Sequence, residues 1–192
     1  MLDRNDALLI TDVQRDFLPG GALAVPGGDE VVPVLSRLAA EFAARKLPIV
    51  ASRDWHPVAH CSFSAQGGPW PAHCVAGTDG AAIDPGLRLP DDTRIVDKAT
   101  SAGKDAYSAF EETDLDDWLR ERGVTRLVLG GLATEYCVVN TARDALQLGY
   151  DVILLADAIR AIDAADGQKA IDELRSLGAV IERSDDILHD PV

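Results

Sequence analysis

The sequence predicts a three-layer α/β/α domain in which helices cover both faces of a mainly parallel, six-stranded sheet. Short apolar runs rich in branched residues alternate along the chain with segments whose apolar residues recur at helical spacing. Continuous apolar strands are typical of parallel sheets buried on both faces, and their regular alternation with helices is typical of α/β folds. In such folds ligands bind at the carboxyl ends of the strands.

Six segments are predicted as strands by their apolar character. They are 7–13, 47–52, 93–97, 125–131, 150–156 and 179–181. Helical spacing predicts helices over 31–42, from a Thr113 cap through 119, from Cys137 to about 149, and over 170–177. With 192 residues, 47% of them hydrophobic, the chain can bury one substantial core, so we expect a single domain over 1–192.

The composition excludes several classes of partner. Lys and Arg number 18 against 32 Asp and Glu, a formal charge of −14, so neither nucleic acid nor an anionic membrane surface is expected to bind. The three cysteines cannot all pair within one chain, and no apolar run reaches membrane length. We expect a cytoplasmic, reduced protein that acts on a small molecule, with homo-oligomer formation left open.

The longest irregular segment, about 53–92, is rich in proline and holds three of the four histidines. A loop of that length inside a compact domain is usually functional or disordered, and its Trp, His and Cys content argues against disorder. It gathers six potential metal ligands: Asp54, His56, His60, Cys61, His73 and Cys74.

Three polar residues follow separate predicted strands, namely Asp12, Lys98 and Cys137. A parallel sheet brings such strand ends together. A thiol at a helix start lies near unpaired N–H groups and the positive end of the helix dipole, which favour thiolate and can receive an oxyanion. A carboxylate could then act as its base and an ammonium as its cation. Taken singly, each residue could equally be a packing, capping or strand-end residue.

At this point the sequence resembles the nicotinamidases, or pyrazinamidases, of the isochorismatase-like cysteine hydrolases, a family with a Rossmann-like fold. The matching stretches are LLITDVQRDFLPGGALAV (8–25), SRDWHPVAHCSF (52–63), GGPWPAHCVAGT (67–78), KATSAGKDAYSAFEETDL (98–115) and GGLATEYCVVNTARDA (130–145). They cover nearly the whole chain. The DWHP and WPAHC elements are specific to the metal-binding nicotinamidase branch.

The resemblance implies a role for each matching residue. Cys137 corresponds to the nucleophile, Asp12 to the general base and Lys98 to the cation between them. The implied metal ligands are Asp54, His56 and His73, which would hold one divalent ion; zinc is expected, with iron and manganese as alternatives. His60 is either an extra ligand or a residue outside the ligand set, and Cys61 and Cys74 match no ligand.

The resemblance also implies how the substrate is held. Phe17, Trp70 and Tyr107 match residues that enclose a flat heteroaromatic ring. Backbone N–H groups of Ala133 and Cys137 match the oxyanion hole, and the peptide bond before Ala133 is expected to be cis. Many relatives have glycine where this chain has Ala109, which predicts an extra methyl group near the pocket edge.

The implied activity is metal-dependent hydrolysis of nicotinamide, and of pyrazinamide, through a cysteine thioester. One alternative is a metal-independent cysteine amidase of the same superfamily that acts on N-carbamoyl or ureido compounds; the DWH and PWPAHC pair disfavours it. The other is a catalytically silent metal-binding or interaction protein on the same fold, because a fold alone does not determine function.

Overall fold

The sheet has six strands, and every neighbouring pair is parallel in this computed structural model, which describes residues 2–188. The strands are β1 (Asp6–Thr11), β2 (Ile49–Asp54), β3 (Arg94–Lys98), β4 (Arg126–Leu132), β5 (Asp151–Arg160) and β6 (Val180–Glu182). Their spatial order is β3-β2-β1-β4-β5-β6. The predicted fold class is confirmed.

Helices cover both faces of the sheet. They are α1 (Val31–Ala44), α2 (Leu115–Glu121), α3 (Val139–Gln147), α4 (Ala164–Ser176) and α5 (Ser184–Leu188). Successive β1 side chains enter different apolar clusters, because strand residues alternate between faces. Leu8 joins the cluster that contains α1, whereas Leu9 joins the cluster that contains α2, α3 and α4. These two clusters separate the three layers.

Several element bounds differ from the sequence prediction. Helix α4 begins at Ala164, six residues before its predicted start at 170. Strand β5 extends to Arg160, four residues beyond the predicted end, and its register with β4 shifts after Leu129. The residue before α2 is Asp114, one residue after the predicted cap, although Thr113 Oγ1 still accepts from the Leu115 N–H at 3.4 Å and donates to the Ala109 carbonyl. The short helix α5 was not predicted, since its five residues are too few to establish a helical period.

The strand order reverses between β1 and β4, which creates the crevice where α/β sheets bind ligands. Asp12 leaves β1 with a left-handed φ of 51°. On β4, Gly131 has a φ of 128°, and a side chain there would meet the Thr11 carbonyl oxygen at 2.0 Å. Glycine therefore allows β4 to approach the end of β1 closely.

The long segment between β2 and β3 folds back on itself and contacts the chain that follows β1. Isolated backbone bridges join His56 to Val75 and Phe63 to Trp70 within the segment, and Ile83 to Gln14. The last of these bridges holds the histidine-containing segment beside the carboxyl end of β1. Among residues 2–188, no helix is both long and apolar enough to span a membrane.

Candidate active site

A buried ammonium group lies at the centre of the site. Lys98 ends β3 and is 1% exposed. Its Nζ is 2.5 Å from Asp54 Oδ1, 3.0 Å from Asp12 Oδ2 and 3.4 Å from Cys137 Sγ, and it also donates to the Ala106 carbonyl at 3.2 Å. Burial alone would lower the pKa of Lys98, but the two carboxylates outweigh burial and hold it well above its ordinary value. Lys98 is therefore a permanent cation.

The two carboxylates beside Lys98 have opposite pKa shifts. Burial raises the pKa of Asp12, and the charge of Lys98 only partly opposes that rise. Burial acts in the same direction on Asp54, but Lys98 and then His56 outweigh it, so the pKa of Asp54 lies well below its ordinary value. Asp54 is thus the fixed anion, and Asp12 is the carboxylate that accepts a proton more readily.

Cys137 lies in one turn of π-helix, Thr134–Val138, between β4 and α3. π-Helical turns occur frequently at functional sites. The thiol is 5% exposed, and the Leu132–Ala133 peptide bond before this turn is cis, as the resemblance implied. Ala133 and Cys137 both line the cavity described below.

Burial dominates the charge state of Cys137. Proximity to a helix start and to Lys98 favours thiolate, yet burial raises the pKa of Cys137 well above its ordinary value. The charge of Lys98 opposes this rise, while the charges of Asp12 and Asp54 add to it. The resting group is a thiol, because a third anion beside two buried carboxylates is unfavourable.

The side chains of Asp54, His56 and His73 fit a divalent metal ion. Each offers one ligand atom, and the three atoms lie within 4.8 Å of one another. His56 Nδ1 faces the Ala99 carbonyl at 3.4 Å and His73 Nδ1 faces the Pro71 carbonyl at 2.8 Å. A carbonyl can only accept, so each Nδ1 carries the proton and each Nε2 keeps a lone pair.

Two further observations support that fit. His56 Nε2 is buried and has no hydrogen-bond partner, which is the state of a nitrogen prepared for a metal. Burial lowers the pKa of His73, which keeps the ring neutral and able to coordinate. Three protein ligands leave coordination positions for water or substrate, as catalytic sites require.

His60 lies beside these ligands but has both ring nitrogens engaged by protein atoms. Nε2 is 3.0 Å from the Lys104 carbonyl and Nδ1 is 2.7 Å from the Ser62 hydroxyl. Its ring packs at a tilt against that of His56, with centroids 4.2 Å apart and an interplanar angle of 31°. Of the two alternatives that the resemblance left open, this geometry favours a supporting residue outside the ligand set.

An aromatic cavity opens onto Cys137, Asp54 and His73. Its lining residues are Phe17, Leu23, Asp54, Trp70, His73, Tyr107, Ala133, Tyr136, Cys137 and Ile162. Trp70 Nε1 donates to the Tyr107 hydroxyl at 3.1 Å, which fixes the indole. The aromatic side chains that line this narrow cavity suit a flat ring.

Tyr136, Leu23 and Ile162 were not predicted as pocket residues. The Tyr136 ring packs edge-on against Trp70, with centroids 5.1 Å apart. Its position next to Cys137 in the sequence was the available signal. Leu23 and Ile162 come from loops without a polar motif, so only the fold identifies them.

The expectation for Ala109 was wrong. Ala109 is fully buried in the apolar cluster around α2 and α3 and does not line the cavity. Its N–H donates to Thr141 Oγ1 at 3.0 Å. The additional methyl group therefore fills the protein core rather than the pocket edge.

A thiol, a carboxylate of raised pKa and a fixed ammonium, gathered at the carboxyl edge of a parallel sheet, are the components of a cysteine-dependent hydrolase. The isochorismatase domain matches residues 6–186. The chain belongs to the isochorismatase family.

Individual relatives are similar over nearly the full length. The nicotinamidase of Escherichia coli K12 is 39% identical over an alignment of 198 residues, gaps included. The alignment covers 91% of this chain and 93% of that protein. The pyrazinamidase of Pyrococcus horikoshii, solved in complex with zinc, has a TM-score of 0.91 and 48% identity, covering 93% of this chain and 99% of that one. PnC1 from L. infantum, solved in complex with nicotinate, has a TM-score of 0.90 and 37% identity, covering 95% and 94%.

Proposed function

We propose that this protein is a metal-dependent nicotinamidase, which hydrolyses nicotinamide to nicotinate and ammonia and also accepts pyrazinamide. The observation that carries the proposal is the position of Lys98 Nζ, within 3.4 Å of Cys137 Sγ, Asp12 and Asp54 at once. The ammonium therefore lies between Asp54, the anionic residue of the proposed metal ligand set, and the Cys137 thiol with its base, Asp12. The aromatic cavity beside them and the relatives named above indicate a flat heteroaromatic amide.

The first half of the reaction forms a thioester. Asp12 removes the proton of the Cys137 thiol as the sulfur adds to the carboxamide carbon. The negative charge that develops on the amide oxygen is received by the N–H groups of Ala133 and Cys137. Asp12 then returns the proton to the nitrogen, the carbon–nitrogen bond breaks, and ammonia leaves.

The second half regenerates the thiol. Asp12 removes a proton from water, and the resulting hydroxide attacks the thioester carbon. The carbon–sulfur bond breaks, nicotinic acid is released as nicotinate, and Cys137 recovers its proton from Asp12. Lys98 remains charged throughout, so that Asp12 can alternate between its two protonation states beside a constant cation.

Asp54, His56 and His73 would hold the metal ion, for which we propose zinc. When bound, the ion supplies a Lewis acid that attracts the pyridine nitrogen and thereby orients the ring. Phe17, Trp70 and Tyr107 enclose the ring faces and exclude water from the reacting carbon.

We further propose that the whole chain acts as one domain in the cytoplasm. The three free cysteines, Cys61, Cys74 and Cys137, support a reducing compartment. The long segment between β2 and β3 supports a single unit, because it contributes His56 and His73 to a site whose remaining ligand, Asp54, ends a core strand.

The test is ammonia release from nicotinamide by the purified protein, with and without prior chelation, with Cys137→Ala as the blank. We expect ammonia release to require both the Cys137 thiol and the metal. Added zinc should restore the activity that chelation removes. Release only from carbamoyl or ureido compounds, unaffected by chelation, would instead identify the metal-independent amidase.

A further inference from the structure

Gln14 has a buried side chain that none of the catalytic steps above uses. It follows the point where β1 ends, and it is 0% exposed. The last β1–β2 pair is Thr11 with Ser52, so the final residue of β2, Asp54, extends beyond its neighbouring strand. A strand residue in that position has a backbone N–H and a carbonyl that require other partners.

The Gln14 amide supplies both partners. Its Oε1 accepts from the Asp54 N–H at 2.8 Å, and its Nε2 donates to the Asp54 carbonyl at 2.8 Å. Nε2 also donates to the Ala81 carbonyl at 2.9 Å, on the segment that contains the metal-ligand histidines. One side chain thus takes the place of a strand beside Asp54 and ties that residue to the segment covering the site.

We propose that Gln14 is a positioning residue that sets the location of Asp54 for both of its tasks, metal binding and pairing with Lys98. This inference rests on the proposed function for the identity of the metal site. Asp54 has one carboxylate oxygen on Lys98 and the other 3.6 Å from His56 Nε2. A shift of its backbone would therefore disturb the ligand set and the ammonium together.

The expected effect is a loss of metal affinity. Gln14→Met preserves the approximate length of the side chain but leaves the Asp54 N–H and two buried carbonyls without partners. Residues that orient metal ligands typically contribute 10- to 100-fold to metal affinity or activity. We expect the metal dissociation constant of Gln14→Met to rise by about 10- to 100-fold.

The experiment measures the affinity of the full-length apo-protein for Zn²⁺ by chelator competition, and records the visible absorption spectrum after loading with Co²⁺. No substrate is needed. Gln14→Met should bind Zn²⁺ more weakly and show an altered Co²⁺ spectrum. If Gln14→Met does not fold, Gln14→Asn keeps the amide but cannot reach both Asp54 groups, and it should change both readouts in the same direction.

Ser184→Ala is the matched control. Ser184 is also fully buried, and its hydroxyl accepts from Arg37 and donates to Asp157, far from the site. This variant should lose stability while keeping Zn²⁺ affinity and the Co²⁺ spectrum. Wild-type values for folded Gln14→Met or Gln14→Asn would overturn the positioning role alone. A wild-type protein that binds no metal would overturn the proposed function, and this inference with it.

Discussion

Asp6 and Asp12 lie at opposite ends of the same strand, and both are completely buried, yet they have different surroundings. Arg126 engages both oxygens of Asp6, at 2.6 and 2.8 Å, and the Asp3 N–H adds a bond of 2.6 Å. Asp12 accepts from the Ser52 hydroxyl through Oδ1, while its Oδ2 lies 3.0 Å from Lys98 without hydrogen-bond geometry.

The difference supports the proposed role of Asp12 as the base. The planar guanidinium of Arg126 matches a carboxylate and satisfies both oxygens of Asp6. The Lys98 ammonium is a point charge that also donates hydrogen bonds to Asp54 and Cys137. It therefore balances the charge of Asp12 without forming a hydrogen bond to Oδ2. Burial is common to both aspartates. What distinguishes Asp12 is an oxygen left available for a proton.

The largest expected effect is that of Asp12→Asn on turnover. An asparagine cannot take the Cys137 proton, and general base catalysis typically contributes 10²- to 10⁴-fold, so we expect kcat for nicotinamide to fall by about 10³-fold. The free energy of unfolding at neutral pH should rise modestly rather than fall, because the variant removes an ionised carboxylate that burial disfavours. Steady-state kinetics and urea denaturation measure the two quantities; a variant with near-normal kcat would remove Asp12 from the mechanism.

Asp6→Asn should have the opposite pattern. It breaks the fork with Arg126, and the loss of one partner of a buried pair typically costs 3–5 kcal/mol. The Arg126 side chain is 27% exposed and can recover some hydration, so we expect a loss of about 2–3 kcal/mol in unfolding free energy. Activity per folded molecule should stay within about twofold, because the Asp6–Arg126 pair lies at the opposite end of β1 from the proposed active site. A parallel loss of kcat would mean that the two ends of β1 are coupled.

The pH profile separates the two aspartates further. Because the pKa of Asp12 is raised, its carboxylate is protonated at pH values where an ordinary aspartate is ionised. As pH falls through that raised pKa, kcat/KM should decline about tenfold per pH unit, beginning above the ordinary value of 3.8.

The linked effect on stability has the reverse sign. A carboxyl group whose folded pKa exceeds its unfolded pKa contributes stability below 3.8, and this contribution is lost as pH rises through the folded pKa. Asp12→Asn should remove this dependence. Asp6→Asn is the control for the kinetic measurement and should leave the acid limb of kcat/KM in place; a shifted limb would assign it to another group.

The sequence alone was sufficient for the fold and for most of the site. Continuous apolar runs predicted all six parallel strands, and polar residues at their ends predicted that Asp12, Lys98 and Cys137 converge. The convergence follows from a general property of parallel sheets, whose carboxyl ends share one edge. The bounds of β5 and the presence of α5 were missed because both depend on tertiary contacts.

Other features of the site could not be predicted from the sequence for physical reasons. The sequence places Asp12 at the carboxyl end of β1, but it does not show that Arg126 engages both oxygens of Asp6 whereas Lys98 leaves Oδ2 of Asp12 without a hydrogen bond. The protonated state of Cys137 depends on the sum of burial and three charges, which no motif contains. Ile162 reaches the pocket because β5 extends to Arg160, beyond its predicted end, and Ile162 follows it.

The smallest expected effect concerns the aromatic wall, which touches neither aspartate. Tyr107→Phe removes the acceptor of the Trp70 N–H while keeping both rings. One hydrogen bond contributes about 1 kcal/mol, so KM for nicotinamide should rise by about fivefold through weaker orientation of the indole. Because Asp12, Lys98 and Cys137 are untouched, kcat should remain within about twofold. Steady-state kinetics over a full substrate range separates the two constants. A tenfold fall in kcat at unchanged KM would show that Tyr107 acts on the reacting carbon, and that the available oxygen of Asp12 does not by itself account for the chemistry.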